Sequence, residues 1–173
     1  GCGRIHDVDF SRVHLGDWTY DAKIGEWTLG LAADLIHRFQ DPQGLRTGVV
    51  LAPHAPDTCT PDLLRRVREM RDVHDLRVNT HVAQSRVEVD FIRERDGMST
   101  PELLDEVGLL DHRLIGAHCI HLSETDITRL GQAGAHLAHI AKGNQTHGST
   151  APTHALREAG MNLALSTDNM HAD

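Results

Sequence analysis

Residues Leu76–Ser85 read LRVNTHVAQS. The first six alternate into a strand, and the charged run RVEVDFIRERDG (residues 86–97) follows as a helix that Gly97 ends. A histidine, His81, therefore closes a strand, and Gln84 stands three residues later, ahead of the helix. One polar residue at such a place means little. Its weight depends on whether other strands end the same way.

They do. TGVVLAPHAP (47–56) is a β-branched, continuously apolar strand stopped by Pro53 and Pro56, with His54 at its end. TPDLLRRVREMRDVHD (60–75) follows as a helix, with Thr60 as cap, Pro61 in the first turn and Leu64, Val67 and Met70 at helical spacing. STPELLDEVGLL (99–110) is a further helix capped by Ser99 or Thr100. RLIGAHC (113–119) is a strand ending at His118, with His121 three residues on. LSETDITRLGQAG (122–134) is a helix capped by Ser123 and closed by Gly134. AHLAHI (135–140) ends in His139, with Asn144 in the next loop. TAPTHALREAG (150–160) is a helix, and MNLALSTDN (161–169) is a last strand that ends at Asp168. IGEWTLGLAADLIHRFQ (24–40) precedes all of these as a long amphipathic helix.

Strand and helix alternate five times, which predicts parallel βαβ units. An open doubly wound sheet and a piece of a (β/α) barrel both satisfy that. Neither GxGxxG nor GxxxxGK[ST] is present, so nothing marks a nucleotide-binding open sheet. The barrel is favoured, because barrel active sites are assembled from the carboxyl ends of several strands.

The totals exclude other classes. A formal net charge of -8 leaves no basic face for non-specific nucleic-acid binding. No apolar run approaches the ~20 residues of a membrane span. Cys2, Cys59 and Cys119 form no CxxC pair, which fits a reducing, cytoplasmic setting and excludes a cysteine zinc site. Fourteen histidines against three Phe, two Trp and one Tyr is the anomaly. His74, His112, His136, His147, His154 and His171 share no strand-end placement and read as surface or capping groups. His121 reads equally as pocket lining or as packing on the next helix. Cys59 and Cys119 read as small buried groups, RRVREMR (65–71) as a solvated helix face, and Trp18, Tyr20 and Trp27 as packing or contact residues rather than a lid.

Histidines and an aspartate converging from successive strands suit metal-assisted hydrolysis. A divalent ion needs neutral imidazoles and a carboxylate with one position left for water, and it makes that water acidic. His81 and Asp168 suit ligand roles, Asp168 also suits the base, and His118 suits polarisation of substrate or oxyanion.

At these residues the chain resembles the amidohydrolase superfamily, in its cytosine-deaminase-like and chlorohydrolase-like branch. The pieces are APHAPDTCTPDLL, THVAQS, LLDEVGLLDHRLIGAHCIHLS, GAHLAHIAKGN and MNLALSTDNMHAD, in that order. The resemblance implies a (β/α)8 barrel around one divalent ion, zinc first and iron second, and hydrolysis of C–N bonds in heterocyclic amines. It further implies a small-molecule substrate, a homo-oligomer, and no nucleic-acid or membrane partner. By position, His81 and Asp168 resemble metal ligands, Asp168, His118 and Gln84 catalytic groups, and His54, His121 and Asn144 substrate contacts. Ile140, Ala141 and Gly143 depart from the family's pattern around Asn144.

Two larger departures stand out. The family's first-strand HxH pair is absent, since His6 and His14 are eight apart. Counted by family strands, the chain runs from the end of the third to just past the eighth. It is thus expected to be a single partial barrel domain of a longer protein, without the last helix and the small β-rich domain. Gln84 also stands where deaminating relatives place a proton-shuttling glutamate. An amide orients but cannot relay a proton at neutral pH. Either Asp168 and His118 carry the proton transfers, or the substrate's leaving group needs less acid help; Gln84 and the missing HxH pair together also admit a non-catalytic relative that binds a small ligand.

Overall fold

The computed structural model describes residues 4–41, 48–146 and 148–168. Its elements in chain order are α1 (Phe10–Val13), α2 (Ala22–Phe39), β1 (Val50–Leu51), a 3-10 turn (Pro56–Thr58), α3 (Pro61–His74), β2 (Arg77–Val82), α4 (Arg86–Asp96), α5 (Thr100–Glu106), β3 (Leu114–His118), α6 (Glu124–Gln132), β4 (His136–His139), α7 (Ala141–Thr146), α8 (Thr153–Glu158) and β5 (Asn162–Leu165).

All five strands pair in parallel, in the order β1-β2-β3-β4-β5. That order decides between the two architectures. A doubly wound sheet reverses its strand order at a switch point. Here the order never reverses, so right-handed crossovers place every connecting helix on one face. The sheet is an arc of a (β/α) barrel, as the strand-end polars predict. Backbone pairing extends one step past β1, where Ile5 bridges Pro53 in parallel with hydrogen bonds to Ala52 and His54 (both 2.9 Å).

The two faces of the arc differ as alternation requires. Val78, Val82, Leu114 and Leu137 point outward and are fully buried against Leu64, Val67, Ile92, Leu104 and Leu130 of the helices. One inward row joins His81 to Ala117, Ala138 and Ala164 across four strands. Alanine there keeps the interior open beside the histidine. Gly131 has the tightest packing: a Cβ on it would lie 2.0 Å from the Ala159 carbonyl oxygen, so α6 and α8 approach only because it has none.

Caps follow the sequence closely. Thr60, Ser85, Ser99 and Ser123 each accept a backbone N–H in the first turn of their helices, and Gly97 closes α4 in the left-handed region. Cys59 and Cys119 are free and buried, as expected. One expectation needs correction. Arg71 does not belong to a solvated face: it is buried, pairs with Asp72 (2.9 Å) and Asp111 (3.0 Å), and donates to the Gly108 carbonyl (3.1 Å). Its spacing puts it with Leu64 and Val67 on the inner side of α3, where its charge must be matched. Of the two readings of Trp27, packing or contact, its 64% exposure excludes core packing and leaves the contact reading. Trp18 stacks on Phe91 with centroids 4.7 Å apart, and Tyr20 donates to the Asp57 carbonyl (2.6 Å). Cys2, His147 and His171 lie outside the described residues.

Candidate active site

The carboxyl ends of β2, β3 and β5 bring His81, His118 and Asp168 together, with one ligand-type atom of each within 4.8 Å of the others. His81 arrives by simple alternation, inward beside Ala117. His118 does not. It pairs with Val82, whose side chain faces the helices, so a regular strand would bury it on the wrong side. The backbone turns instead: His118 (φ 70°) and Cys119 (φ 52°) both take the left-handed region, as do Ala83 (φ 48°) and Asp168 (φ 71°). Each such non-glycine residue costs on the order of 1–3 kcal/mol and persists only where its surroundings over-determine it. Gly116 makes room for the turn, because a Cβ there would sit 3.0 Å from the Cys119 sulfur.

Hydrogen bonds set the imidazole nitrogens. Thr58 commits its hydroxyl proton to the Ala55 carbonyl (3.0 Å), so His54 Nδ1 donates to Thr58 Oγ1 (2.9 Å) and its Nε2 is left as an acceptor. Nδ1 of His81 donates to the His54 carbonyl. Nδ1 of His118 donates to Asn144 Oδ1 (2.8 Å). In both, Nε2 remains to face the pocket. The His54 and His81 rings lie 4.9 Å apart, and His81 stacks on His118 at 5.2 Å. Burial, then the neighbouring His81, pushes His54 down to about 3, and burial also lowers His81. Both are neutral imidazoles near pH 7.

A cavity of about 380 Å³ is lined by His81, Gln84, His118, His121, Asn144 and Asp168 together. His54 is separate: it lines a neighbouring cavity of about 540 Å³ that shares His81 and Asp168 with the first. His121 thus belongs to the pocket wall. His139 ends β4 with its Nδ1 buried and, among the described residues, without a hydrogen-bond partner. Ser85, the last residue of THVAQS, also lines the cavity, as do Arg86 and Ser149, which carry no motif that marks them in the sequence. Of those two, only Arg86 had a positional hint, at the start of the helix after His81.

Beside the site, Asp57 is buried in the 3-10 turn, and burial pushes its carboxyl up from 3.8 to about 6. The folded protein then holds that proton more tightly than the unfolded chain. Its stabilising contribution is present below about pH 3.8 and is lost as pH rises through about 6. Across that window the melting temperature of the protein is expected to fall relative to Asp57→Asn. Parallel melting curves for the two proteins would exclude this assignment.

The amidohydrolase family pattern matches residues 26–172. The chain belongs to the amidohydrolase family. It is 41% identical over 124 residues to a 5-methylthioadenosine/S-adenosylhomocysteine deaminase of Pyrococcus abyssi, covering 71% of this chain and 29% of that protein. It is 38% identical over 136 residues to an 8-oxoguanine deaminase of Pseudomonas aeruginosa, covering 78% and 30%. A zinc-bound adenosine deaminase from Xanthomonas campestris superposes with a TM-score of 0.79 at 28% identity, over 90% of this chain and 34% of that one. This amidohydrolase chain therefore spans about a third of the length of the relatives it matches. Among its described residues no helix is long and apolar enough to cross a membrane.

The donor set fits a divalent ion. Two imidazoles, each oriented through Nδ1, and one carboxylate meet in one place, and that orientation is the usual support for a metal-bound histidine. Zinc and iron share these ligand types.

Proposed function

We propose that this chain is the catalytic-barrel segment of a longer metal-dependent hydrolase that deaminates a nitrogen heterocycle, working in a reducing compartment such as the cytoplasm. The convergence of His81, His118 and Asp168 in one pocket carries the reading. The deaminase relatives on purine compounds support the substrate class.

His81, through Nε2, and Asp168 would hold the ion, zinc first, with further ligands from outside the chain. When bound, the ion supplies Lewis acidity that makes water a nucleophile near neutral pH. In the net reaction the water oxygen adds to the ring carbon that carries the amino group, the C–N bond breaks, and ammonia leaves. Asp168 takes the proton from the attacking water and returns it to the departing nitrogen. His118, held through Nδ1 by Asn144, offers Nε2 as an acceptor to an O–H of the attacking water. Gln84 and His121 bond the polar edge of the heterocycle, while the His54 Nε2 acceptor takes a ring or exocyclic N–H. Burial of that edge against a preformed wall orients the ring for attack.

The test is ammonia release by the complete polypeptide, loaded with zinc, from aminopurines, aminopyrimidines, pterins and aminotriazines. Turnover of one class is expected. Binding without ammonia or chloride release from any of them would replace this reading with the ligand-binding one that Gln84 also allows.

A further inference from the structure

Glu88 is fully buried, and among the described residues no cation pairs with it. It stands third in α4, where an acidic side chain ordinarily accepts the N–H of the capping residue. Two other helices of this chain do that. Glu102 accepts the Ser99 N–H (2.9 Å) on α5, and Asp126 accepts the Ser123 N–H (3.0 Å) on α6. Glu88 reaches past its own cap, Ser85, to the loop beyond. One carboxylate oxygen accepts the Gln84 N–H (2.8 Å), and the other accepts the Ala83 N–H (2.8 Å) and the Thr100 hydroxyl (3.2 Å).

The Ala83 peptide joins the turns at the ends of β2 and β3. Ala83 is itself left-handed. Its carbonyl accepts the N–H groups of Ile120 (3.2 Å) and His121 (2.9 Å), and the preceding Val82 carbonyl accepts the Cys119 N–H (2.9 Å). The left-handed pair His118–Cys119 is thus tied back to β2 through these carbonyls. A buried carboxylate without a counter-charge is costly, and burial pushes this one up to about 7. Its three donors offset part of that cost, and two of them belong to the loop that borders the pocket.

Resting on the active-site reading of this pocket, we propose that Glu88 is a positioning residue: by gripping the Ala83–Gln84 peptides it sets Gln84 directly and, through the Ala83 carbonyl, the His118–His121 turn. One buried anion on the outer layer thereby aims groups at the ends of two strands. Neither strained turn has a glycine to relax it, so loss of the grip lets both move.

The experiment compares amide hydrogen exchange in the complete polypeptide for Glu88→Gln, Thr100→Val and the control Val89→Ala. Glu88→Gln keeps the shape but turns an amide NH2 toward a backbone N–H. Exchange over residues 81–85 and 118–122 is expected to rise roughly tenfold in this variant, the loss of about one charge-assisted bond. Thr100→Val removes only the third donor and is expected to raise both segments by less. Val89→Ala, on the same helix but packed in the core, is expected to lower the melting temperature and leave both segments protected. Where turnover is measured, Glu88→Gln is expected to lower kcat more than it raises KM, and Val89→Ala to change neither beyond about twofold. Unchanged protection of 118–122 in both Glu88→Gln and Thr100→Val overturns the proposal, and Thr100→Val decides alone if Glu88→Gln does not fold. The exchange result stands whether or not the wild type turns over any heterocycle, so failure of the deaminase reading is seen separately.

Discussion

His81→Ala or Asp168→Ala in the complete polypeptide is expected to release the metal and abolish turnover. His81 brings an imidazole whose Nδ1 is already committed to the His54 carbonyl, so its Nε2 direction is set before any ion arrives. Changes to groups that merely orient a metal histidine cost about 10–100-fold in affinity, and removal of the ligand itself is expected to exceed that. Asp168 carries a second duty as proton carrier, and loss of such a group costs on the order of 10²–10⁴ in rate by itself. Metal content after dialysis, measured against wild type, separates the two effects. Full metal retention by both variants would sink the ligand assignment. Asp168→Asn is informative beside them, since it keeps an oxygen donor but cannot accept the proton, and it is expected to retain more metal than Asp168→Ala while remaining as slow.

His118→Ala is expected to behave in the opposite way, holding metal while turnover falls on the order of 10²–10⁴-fold. Its ligand-type atoms lie within 4.8 Å of those of His81 and Asp168, so geometry alone admits it as a ligand. Its partner argues for the catalytic role. Asn144 is buried, its Oδ1 accepts from His118 Nδ1, and among the described residues its Nδ2 has no partner beside the cavity. That arrangement orients an imidazole toward a bound molecule. Asn144→Ala is expected to reproduce part of the His118→Ala loss, because it frees the ring without removing it. Loss of metal by His118→Ala would move this residue into the ligand set.

The meeting of His81, His118 and Asp168 was readable from strand ends, and the structure explains why these three converge and where that reading stopped. Parallel strands in unbroken order carry their carboxyl ends to one rim, so His81, His118 and Asp168 needed only correct strand boundaries to be grouped. His54 was grouped with them on the same ground, and it lines the neighbouring cavity that shares His81 and Asp168 with the first. Ser149 and Arg86 line the pocket without any spacing that marks them. Arg71 was misplaced because a charged residue on an apolar helical stripe looks solvated until Asp111 and the Gly108 carbonyl, which meet it beside the adjacent Asp72, arrive from elsewhere in the chain.

Composition, periodicity and caps determined on their own that this chain alternates strand and helix in parallel units, and that polar groups gather at one end of them. Local rules suffice there, because the repeat of side chains along a strand or helix depends only on neighbours a few residues away. Which way His118 points, which ring nitrogens are free, and what holds Ala83 in a strained turn were decided by tertiary contacts alone. Left-handed backbone at alanine, histidine and cysteine has no sequence signature. It exists here because hydrogen bonds from the helix that follows and from an adjacent strand outweigh its local cost.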